Sequence, residues 1–322
     1  MAKEFLTTPL NKRENLSVKP AFVEILIKLA KRNKNIVVLD ADLQRCSGTR
    51  PFMERFPNRH FQLAISEQNM ISIAAGLALV GKIPFANTFA NFLTKRACDQ
   101  VSISVAFNRA NVKLCGDYAG MTTAKNGGSH CSVEDIAIMR SMPNMVVLVP
   151  ADTIELQKAI KAAVKYKGPV YIRKVKGTMP QIFTRDYRFK IGRSVELMKG
   201  NDLTIISCGI MTYYALIAGE KLKKRKINAR VINMSTIKPI DKRAILKAAK
   251  ETKGIITIEN HSIYGGLGSA VSEVIGETCP CLVKKIGIPD KFGETATFKW
   301  QLEYFKITSE RIVQLAQKIL RK

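Results

Sequence analysis

The chain is poor in acid. Its 52 lysines and arginines face only 26 aspartates and glutamates, a formal net charge of +26. Such a field suits anionic partners, either small substrates or nucleic acid. Two further absences speak against nucleic acid: there is no Cys/His zinc-finger spacing and no aromatic RNA-binding signature. The lysines also spread over helix-like stretches such as Lys221 to Lys226 and Lys242 to Lys253, as they do on solvated faces. No nucleic-acid partner is expected. Long hydrophobic runs are missing as well. No stretch of about 18 uncharged apolar residues occurs, so no helical membrane span is expected. The opening residues, MAKEFLTTPLNKRENLS, lack the apolar core of a secretion signal. Seven cysteines are an odd number, and the one close pair, Cys279 and Cys281, has neither zinc-finger nor thioredoxin spacing. Reduced thiols in a cytoplasmic protein are the expectation. Histidine is scarce: His60, His130 and His261 are the only three. No metal site is assigned to this chain.

What is present is globular. The 322 residues, 46% hydrophobic and 24% charged, suit about two domains. Short apolar runs alternate with helical patterns. Residues 20–33 read as an amphipathic helix and 35–40 as a buried strand. A small-residue helix follows at 67–80, then a strand at 84–88, a helix at 92–106, and a strand at 112–116 before a Gly-rich loop through Ser129. This βαβ succession predicts an α/β fold with a mainly parallel sheet. Residues 175–195, with Gly177, Pro180 and Gly192, break the rhythm and read as a linker. A second, smaller α/β unit then runs through strands at 203–207, 229–234 and 254–258. The expected division is residues 1–180 and 190–322.

The sharpest segment is Ile65-Ser-Glu-Gln-Asn-Met70, with Glu67 at the start of a helix rich in Ala, Gly and Ile. Taken alone, Glu67 would be a capping carboxylate, which the helix dipole favours. Its surroundings widen the reading. In order come Asn87-Thr-Phe-Ala-Asn-Phe92, Asp117-Tyr-Ala-Gly120, Asn126-Gly-Gly-Ser-His130, Glu134-Asp-Ile-Ala-Ile-Met-Arg140 and Pro143-Asn-Met-Val-Val-Leu-Val-Pro150. Together these segments resemble the transketolase family, from about residue 18 to the end. The likeness is to its thiamine-diphosphate-binding pyrimidine domain followed by its smaller C-terminal domain. Free-standing C-terminal subunits of split transketolases are the nearest in kind.

The resemblance implies roles for particular residues. Glu67 would hydrogen-bond N1′ of the cofactor's aminopyrimidine and so promote loss of the thiazolium C2 proton, which needs a dry, apolar setting. Phe89 and Phe92 would stack on the pyrimidine. Asp42 and Leu43, after the first strand, match a segment facing the cofactor; a turn aspartate is the plainer reading. His130 would help move substrate hydroxyl protons. Arg173 matches an arginine that grips sugar phosphate, and Lys19 stands where an arginine is common. Ser129, Asn126 and Tyr118 would meet the sugar, with Cys46 or Ser47 in place of a family serine. Lys95 occupies a position where the family often has an aromatic. Tyr118 for histidine and Asn126 for an acid are departures that point toward an unusual sugar, branched or sulfonated. His261, in Glu259-Asn-His-Ser-Ile-Tyr-Gly-Gly-Leu-Gly268, is assigned to packing and a subunit interface, and His60 to the surface.

One family signature is missing. The Gly-Asp-Gly element that holds Mg²⁺ and the diphosphate has no counterpart; the only Gly-Asp pair, Gly116-Asp117, is followed by Tyr118. The expectation is therefore an α2β2 assembly in which a separate N-terminal subunit supplies most of the Mg²⁺ and diphosphate contacts. This chain would supply Glu67, and sugar phosphates would be the substrates. Within the same cofactor class, a deoxyxylulose-phosphate synthase or a 2-oxo-acid dehydrogenase β subunit are alternatives. Outside it stand a non-catalytic regulatory subunit and a basic nucleic-acid-binding module.

Overall fold

The computed structural model describes residues 13–321; residues 1–12, on which the expectation about a leader falls, and Lys322 lie outside the described residues. The run Ile36–Asp40 (IVVLD) is a strand with all five residues buried, as its unbroken apolar character predicts. Alternation sends Ile36 and Val38 into one core, and Val37 and Leu39 into another on the opposite face. The first core is covered by the packed helices Val18–Ala30 and Thr153–Lys165, the second by Glu67–Leu79. The sheet between them has seven strands. Their order in space is Thr236–Lys238, Val146–Leu148, Val170–Arg173, Lys113–Asp117, Ile83–Phe89, Ile36–Asp40 and His60–Gln62. All neighbours are parallel except Thr236–Lys238.

A second sheet of five strands runs Val283–Ile288, Ile255–Ser262, Leu203–Ser207, Ala229–Asn233 and Val195–Met198, parallel apart from the last. This is the mixed α/β architecture with parallel sheets that the sequence predicts.

Three local features depart from expectation. Residues 175–195 are no loose linker: Thr178–Pro180 pairs antiparallel with Asn15–Ser17, and Ile182, Phe183 and Tyr187 are buried. Thr236–Lys238 crosses back to the first sheet, so the two halves share a sheet edge. Gly120 makes the halves fit as well, because at φ 64° it presses so close to the Asn260 side chain that any Cβ would clash. Finally, the expected helix at 92–106 is wound mostly as π-helix. Phe92–Arg96 and Val101–Phe107 are π-helical on either side of the short Cys98–Gln100 turn. A π turn holds an extra residue, changes which side chains share a face, and occurs often at functional sites.

Candidate functional site at the carboxyl ends of the strands

Strands Ile36–Asp40, Ile83–Phe89, Lys113–Asp117 and Val170–Arg173 end side by side. In an open parallel sheet this is the edge where ligands bind. Four non-glycine residues with positive φ lie in the loops here: Asp42 (57°), Ala64 (51°), Tyr118 (56°) and Ala124 (54°). Each such conformation costs on the order of 1–3 kcal/mol and is commonest where side chains must be aimed.

Glu67 is the first residue of its helix and 1% exposed. Met70 and Ile71, one turn on, are fully buried on the same side. The carboxylate has two side-chain partners. Oε1 accepts from the Thr88 hydroxyl at 3.1 Å, and Oε2 accepts from Arg96 Nη1 at 2.9 Å. The Arg96 side chain is 46% exposed, and its guanidinium lies 4.2 Å from the centre of the Phe92 ring. Aromatic contacts continue from there. Phe92 meets His130 edge-on at 5.1 Å and Phe89 at 5.7 Å, and Phe89 stacks on Tyr118 at 4.7 Å. Over the Tyr118 ring lie the ammonium groups of Lys176, at 4.9 Å, and Lys19, at 5.7 Å. Lys176 also donates to Asn126 Oδ1 at 3.2 Å. A continuous line of touching groups thus leads from the carboxylate to a pair of cations.

The loop carrying His130 is pinned by Asn91, which donates to the Ser129 carbonyl at 2.6 Å, and Ser129 Oγ lies 3.0 Å from His130 Nδ1. Burial, reinforced by the Cys46 thiol beside it, pushes the Tyr118 hydroxyl pKa up, so the phenol stays neutral. Asp117, beneath Tyr118, is pushed up to about 6 by burial, although Lys174 lies 3.0 Å away and opposes the shift. Chemically, the line offers a dry carboxylate for a flat nitrogen heterocycle, aromatic faces to stack on it, and ammonium groups for an anionic tail.

The structure corrects two expected substrate contacts. Arg173 is buried and faces inward. Its Nε and Nη2 engage Asp135 at 2.7 and 3.0 Å, and Nη2 also donates to the carbonyls of Asn260 and Ser132. Desolvation opposes its charge, but Asp135 outweighs that and holds the guanidinium pKa above its ordinary value. Arg173 therefore ties the two halves together. Ser47 is also buried, its hydroxyl given to Asp40 Oδ1 at 2.8 Å, which leaves half-buried Cys46 as the member of that pair beside Tyr118. Asp42 and Leu43 sit at the rim. Asp42 is exposed and its backbone N–H donates to Gln62 Oε1 at 2.7 Å, while Leu43 is half-buried.

His60 is not at the surface but buried, 3.0 Å from Asp40 Oδ2. His261 is fully buried. Its Nδ1 lies 2.8 Å from the Ser262 carbonyl and its Nε2 accepts from the Ala137 N–H at 3.2 Å, so the ring packs between the two halves. Lys95 turns away to Glu134 at 3.0 Å. Three side chains at the site were not singled out from sequence: Thr88, Arg96 and Lys176. For Arg96 a signal was available, since it follows Phe92 by four residues, the spacing at which an arginine can cover an aromatic ring on a helix.

Residues 14–181 match the family model described as "Transketolase, pyrimidine binding domain", and residues 192–312 that described as "Transketolase, C-terminal domain". The chain is 40% identical over 308 residues to the 6-deoxy-6-sulfo-D-fructose transketolase subunit of Clostridium sp. (strain MSTE9), covering 96% of each chain. It is 38% identical over 277 residues to one of the subunits of the apulose-4-phosphate transketolase of Phocaeicola vulgatus, covering 86% of this chain and 88% of that one. Among solved structures, one described as a split gene transketolase, inactive beta4 tetramer, superposes with a TM-score of 0.89 at 42% identity, covering 95% of this chain and 99% of that one.

Proposed function

Because the chain belongs to the transketolase family, we propose that it is the pyrimidine-binding subunit of a two-chain, thiamine-diphosphate-dependent transketolase. The observation that carries this reading is Glu67: a carboxylate 1% exposed, at a helix start, joined through Arg96 to Phe92 and Phe89. The residues present fit the aminopyrimidine half of the cofactor. Glu67 would share a proton with the ring, with Phe89 and Phe92 against it. Bound thiamine diphosphate supplies a carbon nucleophile able to cleave a ketose between C2 and C3, so that a two-carbon unit passes to an aldehyde. His130, edge-on to both phenylalanines, would exchange protons with substrate hydroxyls. Lys176 and Lys19 would hold an anionic tail, phosphate or sulfonate, with Asn126 and Ser129 beside it. The 40% identity to a sulfo-sugar transketolase subunit keeps sulfonated sugars among the candidate substrates.

The diphosphate and Mg²⁺ would be held mainly by an N-terminal subunit, in an α2β2 assembly. A surface for it adjoins Glu67. From Gln68 to Val80 and from Val101 to Asn108 no residue is charged, in a chain carrying 52 basic and 26 acidic residues. Leu79, Val80, Ile103 and Phe107 are nonetheless exposed there, as is Ile65 just before Glu67. A charge-free apolar face of this kind marks an interaction site. The test is to mix the chain with a candidate N-terminal subunit, cofactor, Mg²⁺ and an aldehyde acceptor, and to follow two-carbon transfer from ketose phosphates and sulfonates by mass spectrometry. Transfer by the mixture and by neither chain alone is expected. Transfer by this chain alone, or by the N-terminal subunit without it, contradicts the reading.

A further inference from the structure

We infer that Arg96 is a placeholder for the cofactor ring: it occupies Glu67 and Phe92 in the empty subunit and must be displaced when the aminopyrimidine binds. The inference rests on the cofactor reading above. A buried carboxyl oxygen without a hydrogen-bond donor is costly, on the order of 1–3 kcal/mol, so the empty site needs a donor at Glu67 Oε2. Arg96 meets that need in an unusual way. It donates to Oε2 at 2.9 Å while its flat guanidinium lies 4.2 Å over Phe92. A planar group with an N–H toward Glu67 and a face on Phe92 is a fair description of the bound aminopyrimidine too. Thr88 already fills Oε1, so ring and guanidinium compete for the same oxygen and the same aromatic face.

Arg96, four residues after Phe92 in the π-wound segment Phe92–Arg96, comes to this spot, while Lys95 is turned to Glu134. With 46% of its side chain exposed, Arg96 can swing out toward solvent without repacking the core. The measured cofactor affinity is then the intrinsic affinity multiplied by the fraction of molecules in which Arg96 has left the site.

The test uses the chain assembled with its diphosphate-binding subunit, with cofactor dissociation constants measured calorimetrically at fixed Mg²⁺. Arg96→Met, which keeps bulk but loses charge and plane, should bind thiamine diphosphate about tenfold more tightly than wild type. In a Glu67→Gln background the same change should move the constant less than about twofold, because the competition is already gone. Arg96→Lys, which keeps the charge but not the flat fork, should tighten binding by a smaller factor, and it decides the matter if Arg96→Met fails to fold. Unchanged or weaker binding by the variants would overturn the inference, as would equal tightening in the Glu67→Gln background. Failure of the wild-type assembly to bind the cofactor would instead remove the functional reading, and this inference with it.

Discussion

Glu67 and Glu155 are both buried carboxylates in the first turn of a helix, and they are housed differently. Glu155 is fully enclosed. It accepts from the Ala151 N–H at 2.7 Å, from Tyr187 at 2.8 Å and from Asn233 at 2.9 and 3.1 Å. Those partners come from the first half, the 175–195 strap and the second half, so Glu155 is a clamp between them. Burial pushes its pKa up to about 7 despite these bonds. Glu67 has a fixed hydroxyl partner on one oxygen and a half-exposed arginine on the other. A clamp surrounds its charge with buried groups that cannot leave. Under the proposed function, Glu67 keeps one partner that can be exchanged for a ligand. Asp135, held by buried Arg173 and Tyr171, belongs with Glu155.

The contrast can be broken at either end. The largest effect is expected at Glu67: Glu67→Gln should leave the chain folded and lower turnover of the assembled enzyme by about 10²–10⁴-fold, the usual worth of a positioned proton-transfer group. Activity assays paired with thermal melts check this, and near-normal turnover would contradict it. Asp135→Ala should do the reverse in kind, stranding Arg173 in the interior and costing about 3–5 kcal/mol in denaturant unfolding, as for a broken buried pair.

Glu155 predicts a pH signature. Its pKa is raised from 4.5 to about 7 in the folded chain, so folding takes up a proton between those values. The sign follows from linkage: its contribution is complete below pH 4.5 and is lost as pH rises through about 7. Glu155→Gln should flatten the fall in stability over that window. Subtracting the variant's curve from wild type removes the like-signed contribution of Asp117, which is raised to about 6. The smallest effect is at the cations: Lys176→Ala should raise KM for an anionic sugar about tenfold with little change in kcat, the mark of lost uniform binding.

Much of this arrangement was legible in the sequence because it depends on local order. Glu67 is placed by an N-terminal carboxylate and a small-residue helix, and Phe89 by the end of an apolar strand. The misreadings depend on long-range pairing. Arg173 at a strand end is equally compatible with a phosphate or with Asp135, which lies 38 residues earlier and meets it only through the fold. His60 becomes buried because parallel register sets it beside Val38, within reach of Asp40. Arg96 carried a local signal in its spacing from Phe92, but its partner Glu67 lies 29 residues earlier and meets it only through the fold. The crossing of Thr236–Lys238 to the other sheet was unreadable for the same reason as Arg173, since a three-residue edge strand carries almost no pattern of its own.

The most direct measurement is calorimetric titration of thiamine diphosphate with Mg²⁺ into this chain alone, into the candidate N-terminal subunit alone, and into their mixture. If Glu67 and its aromatic neighbours form half of a shared site, tight binding appears only in the mixture and weakens in Glu67→Ala. Binding by this chain alone, or binding by the mixture that is indifferent to Glu67→Ala, would contradict the account.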